Sequence, residues 1–197
     1  MVEPMKKLEF TVTFHTAYAV DQGSSVPGTV IKGMMLDAAR DLGLTENWAI
    51  VRSVFGGHDH DVARSAPAGP TLSSPWSWSD LRVDGMDVRT RSRIRIDPDT
   101  GTVADGAIVQ VNEFGQKDMT GSFTIKQTGM IPQTGDSGLT ESQHLIILEA
   151  TARSVTSLGA SRRRGLGWVS ITRTHGNTDV TRLAEELESL FANGGTR

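Results

Sequence analysis

The order in which the hydrophobic residues change period constrains this chain most. Leu8, Phe10, Val12 and Phe14 alternate with Glu9, Thr11, Thr13 and His15, the signature of a strand with one face buried. A polar turn from Asp21 to Gly28 follows. Beyond it Ile31, Met34, Met35, Ala38 and Leu42 recur at helical spacing, and Gly43 supplies a stop. A short second helix is expected from a Thr45 cap to Phe55, closed by Gly56-Gly57.

From Gly56 to Ser79 the composition turns to Gly, Ser, Ala and Pro, an irregular excursion in which no compact core element is expected. An extended run, Val88 to Asp97, then meets the turn Asp97-Pro98-Asp99-Thr100-Gly101. A returning piece near Ala107 to Val111 and a strand from Ser122 to Lys126 come next. Thr140 caps a helix with Leu145, Leu148, Ala152, Val155 and Leu158 inward and Gly159 as terminator. A strand from Trp168 to Thr172 and an amphipathic helix carrying Val180, Leu183, Leu187, Leu190 and Phe191 on one side close the chain. Without the excursions the order is strand, helix, strand, strand, helix, strand. This predicts an α+β fold with a ferredoxin-like, RNA-recognition-motif-like βαββαβ core. At 197 residues the expected organisation is a single domain over 1–197, with an insertion at 56–80, a protruding hairpin at about 97–120 and a C-terminal helix at 179–192.

Two basic elements stand out against this frame. In Ser161-Arg162-Arg163-Arg164-Gly165-Leu166-Gly167-Trp168, three guanidinium groups adjoin a backbone loosened by Gly165 and Gly167. Arginine presents a planar fork of donors that matches phosphate oxygens, and glycine lets the main chain approach a ligand closely. The alternative is a solvated basic turn after a helix. In the second element, Arg89, Arg91, Arg93 and Arg95 fall at every second position. On a strand they share a face, and four like charges in a row repel one another unless an anion lies across them. Pairing with acids on a neighbouring strand is the alternative.

Composition narrows the function. A net charge of −3 argues against a protein that coats nucleic acid with its whole surface. From Ala150 to Thr178 there is no acid but five arginines, Arg153, Arg162, Arg163, Arg164 and Arg173, which points to one basic groove on an acidic body. With no cysteines, disulfides and thiolate metal sites are excluded. No apolar run approaches membrane-spanning length and the start lacks a signal-peptide core, so a cytoplasmic location and no membrane partner are expected.

Several segments together resemble the RAMP superfamily of CRISPR effector proteins, most closely the Cas7 group of Csm3-like backbone subunits of type III complexes. They are Val26-Pro27-Gly28-Thr29-Val30-Ile31-Lys32-Gly33, Val54-Phe55-Gly56, Arg93 to Asp97 with Thr100 to Ala104, and the Gly-rich Gly159 to Gly167. They run in family order from about Leu8 to Thr172. The resemblance implies a RAMP fold that polymerises along a guide RNA, its thumb hairpin wedging between nucleotides. Partners would be guide RNA, target RNA and other effector subunits, in homo- and hetero-oligomers. The RNA-binding residues would be Lys32, Arg89, Arg91, Arg93, Arg95, Arg162, Arg163, Arg164, Gly165 and Gly167. In Csm3-like subunits an aspartate after the first strand cuts target RNA. Asp21 is the matching candidate for catalysis and for holding a Mg²⁺ ion, with a turn-forming Asp as the alternative. A non-catalytic RAMP subunit is the alternative reading of the whole chain.

Other constellations compete. Gly23 and Gly28 have phosphate-loop spacing, but Thr29 stands where Walker A requires lysine, so nucleotide hydrolysis is excluded. His58-Asp59-His60-Asp61 offers two imidazoles and two carboxylates to a metal, the basis for a rival metal hydrolase, against a solvated polar loop. His15 is an acid–base candidate or a strand-surface residue. Trp76 and Trp78 share a face if extended, for core packing or base stacking, and Trp168 is expected inside.

Overall fold

β1 (Lys7–Phe14) is the strand on which the rest is assembled. Its alternation holds: Leu8, Phe10, Val12 and Phe14 are buried, and their neighbours face outward. The computed structural model describes residues 6–19, 25–57, 71–83, 87–115, 118–131, 139–160, 165–176 and 179–192. The other strands are β2 (Tyr18–Ala19), β3 (Trp76–Trp78), β4 (Arg82–Val83), β5 (Val88–Ile96), β6 (Val103–Phe114), β7 (Met119–Gln127) and β8 (Val169–Arg173). The α-helices are α1 (Gly28–Asp41), α2 (Trp48–Phe55), α3 (Glu141–Ser154) and α4 (Val180–Ala192).

The strands form two antiparallel sheets. The core sheet runs β3-β7-β1-β8, with β4 also paired to β7. Every pair in it is antiparallel. Phe10 stacks on its register partner Phe123 with ring centroids 5.1 Å apart. The helices join the same core through Ile31 and Met35 of α1, Val51 and Val54 of α2, and Ile147 and Leu148 of α3. A second sheet, β2-β6-β5, carries the arginine strand.

Local chemistry fixes the helix ends. A Cβ on Gly28 would lie 2.3 Å from the Trp78 carbonyl oxygen, so only glycine lets α1 begin against β3. The Gly28 N–H donates to Asp80 Oδ1 at 2.9 Å, filling one of the bare amides of the helix start. At α3, Thr140 and Gln143 form a reciprocal capping box, worth about 1 kcal/mol.

Four expectations are corrected. The α-helical part of the second helix begins at Trp48, because Thr45 lies in a 3-10 turn that ends at Asn47 (φ −112°). α3 ends at Ser154, and Gly159 instead admits a close approach: a Cβ there would lie 2.4 Å from the Ala19 carbonyl oxygen. The excursion does contain a core element, since β3 lies at the edge of the core sheet with Trp76 buried. Finally, the hairpin starts at Val88 rather than near Asp97, because the arginine strand is its first arm. No residue of β5 is buried, so it could not take a core position that needs an apolar face.

Candidate nucleic-acid interface

β5, the first arm of the hairpin, presents both rows of its side chains without burying any of them. Arg89, Arg91 and Arg93 lie opposite Glu113, Val111 and Val109 in register, so the arginines share one face with those positions. Arg89, Arg91 and Arg95 are exposed and Arg93 is half-buried. On the other face Val88, Ile94, Ile96 and Ile108 are each more than half exposed. The turn between the arms is closed by Asp97, whose Oδ1 accepts from the Asp99 N–H at 2.8 Å. Gly101 follows in the left-handed region at φ 65°.

One carboxylate intrudes on the row. Glu113 is buried, and its Oε1 lies 2.9 Å from Arg91 Nε. The approach is an ion pair without hydrogen-bond alignment, leaving that oxygen an unfilled position among the described residues. Arg89 and Arg95 make no ion pair with any described carboxylate. The row therefore keeps a net positive face, as an anion-binding surface requires.

The basic loop is tied to the same sheet. Ala19 pairs with Glu113 of β6 on one side and bridges Ala160 on the other. The Ala160 N–H donates to the Ala19 carbonyl and the Gly167 N–H to the Ala17 carbonyl, both at 2.7 Å. Both ends of the segment bearing Arg162, Arg163 and Arg164 are thus pinned on residues 17–19. Stepping from Ala160 through β2 and β6 to β5 crosses three strand spacings, about 14 Å. Arg162 to Arg164 themselves lie outside the described residues, as do Asp21 and His58 to Asp61.

The two glycines of the loop differ. Gly167 is buried at φ 72°, and a Cβ there would lie 1.8 Å from the Leu158 carbonyl oxygen, so packing accounts for it. Gly165 is exposed at φ 79° with open space where a Cβ would be.

Lys32 stands apart. Its Nζ sits 5.2 Å from the Trp78 ring centroid, and burial lowers its pKa. Trp78 belongs to β3 of the core sheet, whereas the arginine row is carried by β5 of the second sheet. Trp76 is buried and donates its Nε1–H to His144 Nδ1 at 3.1 Å. Burial pushes the His144 pKa down to about 4. His15 is exposed, its Nε2 3.1 Å from Ser170 Oγ. Trp168, expected inside, is 62% exposed, because Gly167 and Val169 on either side take the inward positions.

The acid-free stretch is also less basic than its sequence. Glu149, one residue before it, is buried and accepts from Arg153 Nε at 3.3 Å and Arg173 NH1 at 3.1 Å. One buried carboxylate thereby pairs with two of the five arginines and offsets one of their two charges. The spacing Glu149 to Arg153 was a visible helical ion pair; the contact from Arg173 is tertiary. Among the described residues no helix is long and apolar enough to cross a membrane, and no group of three or more His, Cys, Asp or Glu could hold a metal.

No protein-family model and no curated protein matches the sequence. Solved structures do match in shape. A chain of the type III-B Cmr-beta complex in its apo state is 10% identical with a TM-score of 0.61, the match covering 88% of this chain and 98% of that one. A chain of the type III-B Cmr-beta complex bound to cognate target RNA is 12% identical with a TM-score of 0.54, covering 85% of this chain and 58% of that one. At such identities the likeness is one of fold: this chain has the α+β architecture found in chains of a type III-B Cmr-beta complex.

Proposed function

We propose that this protein is a Cas7-type, Csm3-like subunit of a type III CRISPR ribonucleoprotein that holds guide RNA along its backbone. The observation that carries the reading is the arginine row on a hairpin strand with no buried residue, in a fold shared with chains of such a complex. Single strands held without sequence readout need phosphate contacts on a cationic groove, which Arg89, Arg91, Arg93 and Arg95 supply and Arg162 to Arg164 extend. We read β1-α1-β3-β7-α3-β8, in sheet order β3-β7-β1-β8, as the split βαβ core of one RAMP domain, and β5–β6 as its thumb. Exposed Val88, Ile94 and Ile108 suit a hairpin whose other face meets a neighbouring subunit.

Cleavage of target RNA through Asp21 is the further part of this reading, and a non-catalytic subunit of the same complex is its alternative. Asp21 lies outside the described residues, which hold no cluster of candidate ligands, and no step is derived through Mg²⁺. The test is purification of the complex from cells expressing it with its CRISPR locus. Short RNA of discrete length should copurify, and complementary RNA with Mg²⁺ should be cut by the wild type and only bound by Asp21→Ala. A complex free of RNA removes the function; cutting that survives Asp21→Ala removes only the role of Asp21.

A further inference from the structure

Trp168 is the one described tryptophan in the exposed class. Its main chain is fixed from two sides. The N–H donates to Thr16 Oγ1 at 2.9 Å, the carbonyl accepts from the His15 N–H at 2.8 Å, and the residue bridges Ser157. Gly167, with no room for a Cβ, and buried Val169 hold the alternation that aims the indole outward. A large apolar ring on an ordered backbone in water marks a contact surface more often than a lone exposed leucine does.

The indole stands at one end of the uncovered face of the core sheet. Thr11, Thr13, Thr120, Ser122, Ser170 and Thr172 share that face, and none of them is buried. His15 lies opposite Trp168 and hydrogen-bonds Ser170. The neighbours of the ring are therefore hydroxyls and an imidazole, which suit the polar edge of a base and would leave an apolar protein patch uncompensated. Exposed Gly165, three residues earlier, leaves the main chain open to a phosphate, and three arginines precede it in sequence. The Asp118 main-chain N–H donates to the Phe14 carbonyl from the β7 side of β1, and the Glu9 carboxylate at the far end of β1 is held by Lys7.

We propose that Trp168 is a stacking platform for a nucleobase of single-stranded RNA, with His15 and Ser170 reaching the base edge. The proposal rests on the RNA-binding function above and adds a base contact to its phosphate contacts. Stacking is tolerant of sequence because every base has a π-face.

The test titrates the full-length protein with a fluorescent single-stranded RNA of about 20 nucleotides, enough to span a groove, and with an abasic ribose-phosphate oligomer of equal length. Trp168→Ala should bind the RNA roughly 5- to 150-fold more weakly and the abasic oligomer equally well. Its salt dependence should match the wild type, since no phosphate contact is lost, and Trp168→Phe should recover most of the affinity. Equal RNA affinity of wild type and Trp168→Ala overturns the stacking site and leaves RNA binding standing. Changed self-association with unchanged RNA affinity also overturns it, assigning the ring to a protein contact. A wild type that binds neither oligomer removes the RNA function and this site together.

Discussion

The core sheet and the hairpin sheet are built from the same antiparallel pairing and differ in what covers them. In β1 every second residue is buried; in β5 none is. Two exposed strands hold together only marginally in water, so β5–β6 persists because β6 also pairs with β2 and because Phe114 and Glu113 are buried at its root. The difference separates stability from function. Burial in the core sheet holds the fold, and the charges and apolar residues of β5 stay exposed.

Paired substitutions break this comparison at its largest. Phe10→Ala, at a fully buried ring stacked on Phe123, should lower unfolding free energy by about 3–5 kcal/mol, measured by urea denaturation. Ile94→Ala in β5, which is 55% exposed, should stay within about 0.5 kcal/mol of wild type. Comparable losses at the two positions would mean that the hairpin is part of the core.

A smaller effect sharpens the account of the core sheet's edge. His144 accepts from Trp76 Nε1–H, and its folded pKa is lowered from 6.5 to about 4 by burial. Below pH 6.5 the unfolded chain takes up a proton that the folded protein refuses. Stability therefore falls as pH drops from 6.5 toward 4 and levels off below, by about 3 kcal/mol in all. His144→Gln, whose amide oxygen can still accept from Trp76, should lose this part of the slope. An identical pH profile in the variant would show that His144 is not the titrating group.

Much of this was legible in the sequence. The alternation from Leu8 to Phe14 and the spacing of Ile31, Met34 and Met35 define elements whose burial is one-sided, and such patterns are local. The arginine face of β5 was equally readable. What failed was tertiary. Trp76–Trp78 is three residues long and gains its place only by pairing with Gln127, Lys126 and Ile125. Gly159 and Gly167 looked like a helix stop and a ligand loop, yet the carbonyls of Ala19 and Leu158 account for them. Arg173 looked free until the fold brought it to Glu149. The outward turn of Trp168, by contrast, follows the alternation of Val169 and Ile171, both buried, with Ser170 and Thr172.

The central claim is that the hairpin's arginine face binds RNA phosphates. Its most direct test is the salt dependence of single-stranded RNA binding by wild type and by the double variant Arg89→Ala, Arg95→Ala, which leaves the Arg91–Glu113 pair intact. The variant should bind more weakly, with a slope of log affinity against log salt shallower by about 1.4 and an unchanged melting temperature. Identical affinity and slope in the two proteins would contradict the claim.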